Sequence, residues 1–229
     1  MSEASPLGPI QQTPTLEVTA LSLSGGAKAL GPLSFTFPHA GCWWLTGVSG
    51  AGKSLLLESL AGFHAEAQGS IRVSGEEVGH CAPERRSISL MPQRWRLFPH
   101  WTVARNLSFV AKLRGTRQQR PSDRIDQLSQ RLLVANLIHR PTRALSGGET
   151  QRIALIQTLL SPAKVLLLDE PLSAVDAALQ SVVLDLLQEE SEKAHRICLI
   201  ATHRPATNYP MQGTLLLTDG RLLANTKSG

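Results

Sequence analysis

Aromatic residues are scarce in this chain of 229 residues, which holds five Phe, four Trp and one Tyr. The densest basic run, from Arg114 to Arg124, contains none, so nothing there offers nucleic-acid bases a ring to stack on. The run reads instead as a solvated linker between helices, and no nucleic-acid partner is expected. A net charge of +5 and a pI near 9.5 leave approach to anionic lipid headgroups open as a weak indication. Cysteine is also sparse. Cys42, Cys81 and Cys198 are odd in number and far apart, which fits reduced, core-packed thiols better than a disulfide frame or a metal site. No apolar run approaches the roughly 18 to 20 residues of a membrane span, and Met1-Ser-Glu-Ala-Ser-Pro6 lacks the basic and apolar parts of a signal peptide. A cytosolic globular chain is expected. With 42% hydrophobic and 18% charged residues, it can bury a sizeable core, and disorder is not expected.

What is present divides the chain. Residues 1–15, rich in Ser, Pro and Gln, read as a flexible arm, and residues 16–229 as one domain. Leu16 to Leu23 and Leu33 to Phe37 alternate as strands joined by turns at Gly25-Gly26 and Gly31-Pro32, the start of a small antiparallel sheet. Strands are expected at Trp43–Leu45, Gly69–Gly75 and Ser87–Met91. Between Thr102 and Arg143 the pattern turns helical, with Val103, Leu107 and Val110 on one face and Ile125, Leu128, Leu132 and Leu133 on another. Val165–Leu168 and Ile197–Ala201 are nearly continuous apolar runs, as parallel strands buried on both faces require. A helix is expected from Ala177 to Glu190, and a hairpin with its turn at Asp219-Gly220 closes the pattern.

Three motifs carry chemistry. After the apolar run Cys42–Leu45 comes Gly47-Val48-Ser49-Gly50-Ala51-Gly52-Lys53-Ser54, the G-x-x-x-x-G-K-S spacing of a phosphate-binding P-loop. Its glycines let backbone N–H groups converge on phosphate oxygens, and the following helix points its positive end at the same anion. Lys53 is expected to reach the β- and γ-phosphates and Ser54 to bind Mg²⁺. The second motif is the strand Val165–Leu168 ending in Asp169-Glu170. Asp169 is placed to hold Mg²⁺ and Glu170 to polarise an attacking water as general base. Without the P-loop, such a pair would be an ordinary turn. The third is Leu145-Ser146-Gly147-Gly148-Glu149, where Ser146 caps a helix whose exposed N–H groups form a second anion site.

Taken in order, GVSGAGKS at 47–54, MPQ at 91–93, LSGGE at 145–149, LLLDEP at 166–171, SAVD at 173–176 and ATH at 201–203 resemble the ATP-binding cassette family, over about Leu16 to Arg204. The resemblance implies an α/β fold: a P-loop NTPase core with a mainly parallel sheet, an N-terminal antiparallel β subdomain and an inserted helical subdomain at about 94–143. It implies that Gln93 senses Mg²⁺ and the attacking water, that Glu170 is the base and that His203 contacts the γ-phosphate. It also implies a head-to-tail homodimer, in which Ser146, Gly147, Gly148 and Glu149 of one copy face the nucleotide on Lys53 of the other and Asp176 lies at the interface. The implied cofactors are ATP and Mg²⁺. The implied partners are permease subunits on the inner face of the cell membrane and, for an importer, a solute-binding protein.

The segment Arg94 to Trp101 holds three aromatic residues, Trp95, Phe98 and Trp101. Its family counterpart lines a groove for a membrane subunit; joining the two lobes is the alternative reading. Three departures stand out. No aromatic residue precedes Phe35, where relatives stack adenine; Gln157 replaces a common arginine; and Arg204 replaces a common aspartate. Bacterial import of a small polar solute or oxyanion is the resemblance closest in pattern. A cassette ATPase of DNA repair or translation without a membrane partner, and a P-loop small-molecule kinase, are the competing readings.

Overall fold

The computed structural model describes residues 15–24, 29–113, 121–206 and 209–227, so the expected arm and the Gly25-Gly26 turn lie outside the described residues. Ten strands and five helices follow in order: β1 (Leu16–Leu23), β2 (Leu30–Phe37), β3 (Gly41–Thr46), α1 (Lys53–Ala61), β4 (Gln68–Val73), β5 (Glu76–Glu77), β6 (Ile88–Met91), α2 (Val103–Leu113), α3 (Pro121–Arg131), α4 (Gly147–Leu159), β7 (Val165–Asp169), α5 (Ala177–Lys193), β8 (Ile197–Ala201), β9 (Gly213–Thr218) and β10 (Arg221–Lys227).

Two sheets result, an antiparallel one ordered β2-β1-β4-β5 and a mainly parallel one ordered β10-β9-β3-β8-β7-β6. The buried strands β7 and β8 feed two cores at once, because alternate residues point to opposite faces. Leu166, Leu168, Cys198 and Ile200 join α4, α5 and the helical segment in one cluster. Val165, Leu167, Ile197 and Leu199 join α1 and the antiparallel sheet in the other. Cys42 and Cys198 are buried neighbours on β3 and β8, and Cys81 is half-buried, all as free thiols.

Two expectations are corrected. Gly31-Pro32 is not a turn but lies within β2, where the register against β1 shifts between Leu21 and Leu23. Gly31 sits at φ 83 against the Leu21 carbonyl, 2.0 Å from where a Cβ would be. Tertiary pairing overrides the local Gly-Pro signal there. Leu133 is 67% exposed rather than on the buried face, because α3 ends at Arg131 and Leu133 adopts φ 56.

Helix ends are fixed by specific bonds. Ser146 caps α4 through a reciprocal capping box with Glu149, and Asp176 caps α5 by accepting from the Leu179 N–H at 2.9 Å. The buried Arg86 guanidinium donates to the Ser59 and Leu60 carbonyls at 3.1 Å each, closing the C-terminus of α1. Between α3 and α5, Arg124 pairs with the buried Glu190, which also meets Arg196 at 3.1 Å, while Arg131 meets Glu189 at 2.7 Å.

Candidate nucleotide site

Strands β3, β6, β7 and β8 are mutually parallel, so the residues that follow them emerge at one edge of the sheet. The loop 47–52 follows β3, Gln93 follows β6, Glu170 follows β7 and His203 follows β8. A cavity of about 410 Å³ forms among them, lined by Ser49, Gly50, Gly52, Lys53, Ser54, Gln93, Asp169, Glu170, Ser173 and His203. Nine of these ten are site residues expected from sequence, and the tenth, Ser173, opens the SAVD motif; Leu55 also lines the cavity. Val48 in the loop is 66% exposed.

The loop's shape follows from its glycines. A Cβ at Gly47 would stand 2.2 Å from the Leu217 carbonyl, and Gly52 at φ 103 caps the start of α1. The buried Ala51 anchors the loop, its carbonyl accepting from the Gly220 N–H at 2.9 Å. Lys53 Nζ donates to the Gly47 and Val48 carbonyls at 2.7 and 3.2 Å, so its ammonium is held inside the loop it is expected to serve.

Asp169 is 4% exposed, and burial raises its carboxyl above the ordinary value; the Ser54 hydroxyl bonded to it lowers it, the Glu170 charge raises it and Lys53 lowers it. A buried carboxylate bonded to a hydroxyl offers oxygen donors that suit a hard divalent cation. Glu170, at φ 51, is bound from three sides: the Thr202 hydroxyl at 3.2 Å, the His203 N–H at 3.1 Å and His203 Nδ1 at 2.9 Å. Its backbone carbonyl accepts from Gln151 Nε2 at 2.7 Å and from the Ser173 hydroxyl at 3.0 Å.

Gln151 and Thr202 were not foreseen. Gln151 lies one turn into α4, and its Oε1 also accepts from the Ala174 N–H at 3.1 Å, so α4 grips the turn after β7. Only the packing of α4 against that turn reveals it. Ser146 to Gly148 do not line the cavity; Ser146 and Gly147 are exposed, and Gly148 packs against the Ala174 carbonyl. Glu149 is engaged by the cap, the Ser146 N–H and then its hydroxyl holding the carboxyl below the usual range. Asp176, likewise exposed, is engaged at the start of α5.

A second, larger groove of about 1010 Å³ opens between the end of α1, β6 and the segment after Gln93, with Phe63, Leu113 and Trp95 among its walls. Phe98 and Trp101 do not line it; they cluster with Phe109 at centroid separations of 4.5 to 5.5 Å, and Arg105 lies over the Trp101 ring.

A family model described as ABC transporter matches residues 30–173. The chain belongs to the ABC transporter family. It is 36% identical over 179 residues to the spermidine/putrescine import ATP-binding protein PotA of Pseudomonas fluorescens, which covers 78% of this chain and 50% of that protein. It is 34% identical over 178 residues to the maltose/maltodextrin import ATP-binding protein MalK of Yersinia pestis, covering 78% and 48%. With the molybdate/tungstate import ATP-binding protein WtpC of Archaeoglobus fulgidus it shares 40% over 144 residues, covering 63% and 59%. The chain thus spans about half the length of the curated relatives it matches. Among solved structures, an ATP-binding subunit of an ABC transporter superposes with a TM-score of 0.82 at 22% identity, covering 93% of this chain and 89% of that one. An ATP-binding cassette in its ADP conformation superposes at 0.77 with 19% identity, covering 94% and 91%. Both share the ABC transporter fold seen here. No helix among the described residues is long and apolar enough to cross a membrane.

Proposed function

We propose that the chain is the ATP-hydrolysing subunit of an ABC importer, acting as a head-to-tail dimer beneath a membrane permease on the inner face of the cell membrane. The observation that carries this is the convergence of Lys53, Ser54, Gln93, Asp169, Glu170 and His203 on one cavity at the ends of four parallel strands. Phosphates entering the loop draw the Lys53 ammonium away from the Gly47 and Val48 carbonyls, exchanging neutral acceptors for charged ones. Ser54, Asp169 and Gln93 would hold Mg²⁺, whose charge neutralises phosphate oxygens when bound. Glu170 accepts a proton from the attacking water once its carboxylate is released from His203, and His203 then turns its ring toward the γ-phosphate.

Ser146 to Gly148 of a second copy would complete the site, since this segment does not line the cavity of its own chain. Glu149 and Asp176 support that surface as helix caps. The groove beside Trp95 suits a permease segment. The import proteins among the relatives support a small polar solute, an oxyanion or a polyamine as cargo, with a solute-binding protein as a further partner. The direct test is phosphate release from MgATP by the purified chain, with Lys53→Ala as control. Turnover lost in that variant is the expected result; a Lys53→Ala chain that hydrolyses normally would defeat the proposal.

A further inference from the structure

We propose that Trp95 and Gln157 act together as a positioning pair that sets where Gln93 stands at the edge of the nucleotide cavity. The inference rests on the ATPase reading above and adds to it residues outside the cavity.

Gln157 lies on α4, 4% exposed, among Ile153 to Leu159. A buried amide without partners is costly, and its Oε1 accepts from the Trp95 indole N–H at 2.7 Å. Its Nε2 donates to the Asn106 carbonyl on α2 at 3.4 Å. Asn106, with no exposure, holds the next stretch: its Oδ1 accepts from the Phe98 N–H at 2.9 Å and its Nδ2 donates to the Phe98 carbonyl at 3.3 Å. The segment after Gln93 is therefore moored at Trp95 and again at Phe98 by two buried amides.

Gln93 itself makes no side-chain hydrogen bond to another described residue and is exposed at the cavity edge. Only Arg94 separates it from the mooring at Trp95, a span of at most about 7 Å of backbone. A shift of the Trp95 backbone is passed to Gln93 across one residue. Trp95 also forms part of the wall of the larger groove, so a helix pressed into that groove meets the same ring. On the other side the bond leads to α4, which begins at Ser146. One pair thus touches the groove, the near half of the site and the helix that presents the far half. Arginine at 157 would set donors against a donor, so glutamine at this position and tryptophan at 95 belong together.

The test is a double-mutant cycle on the full chain with Trp95→Phe, Gln157→Leu and both, following MgATP turnover, MgATP affinity and thermal melting. Each single variant leaves one buried group unpaired, whereas the double removes both. The expected result is a fall in kcat of about 5- to 30-fold in each single variant, the factor worth one neutral buried hydrogen bond, with KM for MgATP within about twofold. The double variant loses no more than the worse single. Unchanged kcat in both single variants, a loss carried by KM, or strictly additive losses would each overturn the pairing. If Gln157→Leu does not fold, Trp95→Phe alone carries the comparison of kcat with KM. A wild-type chain that fails to turn over MgATP defeats the ATPase reading, and the positioning role falls with it; turnover in the wild type with unaffected variants defeats the positioning role alone.

Discussion

Asp169 sets burial against charge. Burial raises its carboxyl above the ordinary 3.8, with the Glu170 charge acting in the same direction. The folded chain then holds a proton more tightly than the unfolded one. Stability contributed here is present below the ordinary value and is lost as pH rises through the raised value, so at neutral pH the ionised group costs stability. Asp169→Asn should therefore raise the melting temperature of the nucleotide-free chain while abolishing the further stabilisation by MgATP. Thermal melts with and without MgATP check this, and an unchanged MgATP shift would remove Asp169 from the metal site. At Glu170, Gln would keep bonds to Thr202 and the His203 backbone but cannot take a proton. Glu170→Gln should bind ATP with near-normal affinity and hydrolyse it at least about 100-fold more slowly, the low end of general-base contributions. Phosphate release at saturating MgATP measures it.

At the scale of elements, Glu190 near the end of α5 joins α3 through Arg124 and the start of β8 through Arg196. Glu190→Gln leaves two guanidinium groups short of a counter-charge in a half-buried setting and should cost about 1 to 3 kcal/mol. Urea unfolding reads this directly, and an unchanged midpoint would show the cluster to be energetically idle. The β1-β2 hairpin makes a different prediction. Its aromatic residues, Phe35 and Phe37, are buried with Trp43 and are not free to stack on a base. GTP should compete with ATP more effectively than in a site with a stacking ring; a strict ATP preference in a competition titration would overturn that. The elements also show what sequence can carry. The P-loop, the Asp169-Glu170 strand end and the capping box at Ser146 are local patterns, each readable because its geometry is made by adjacent residues. The grip of Gln151 on the turn after Glu170, the Glu170–His203 contact and the Trp95–Gln157 bond join residues between 19 and 62 positions apart. They exist only once helices pack on strands. Gly31-Pro32 shows the opposite failure, a strong local turn signal overruled by pairing with β1.

For the whole molecule, the proposed function makes the arrangement within one chain half of a site. The residues proposed to hold phosphate and metal line one cavity at one sheet edge, and Ser146 to Gly148 are not among its lining. A second copy is proposed to supply that segment, and complementation between two silent variants tests this directly. Lys53→Ala removes the loop ammonium. Gly147→Asp places a carboxylate where phosphate is expected, at a position where an added Cβ meets nothing within 4 Å and an acidic first turn suits the helix. Each variant alone should be inactive. Mixed in equal amounts, half of the dimers carry one intact site, and MgATP turnover should recover to about a quarter of wild type. A mixture as silent as its components would show that each chain completes its own site, and would contradict the shared site.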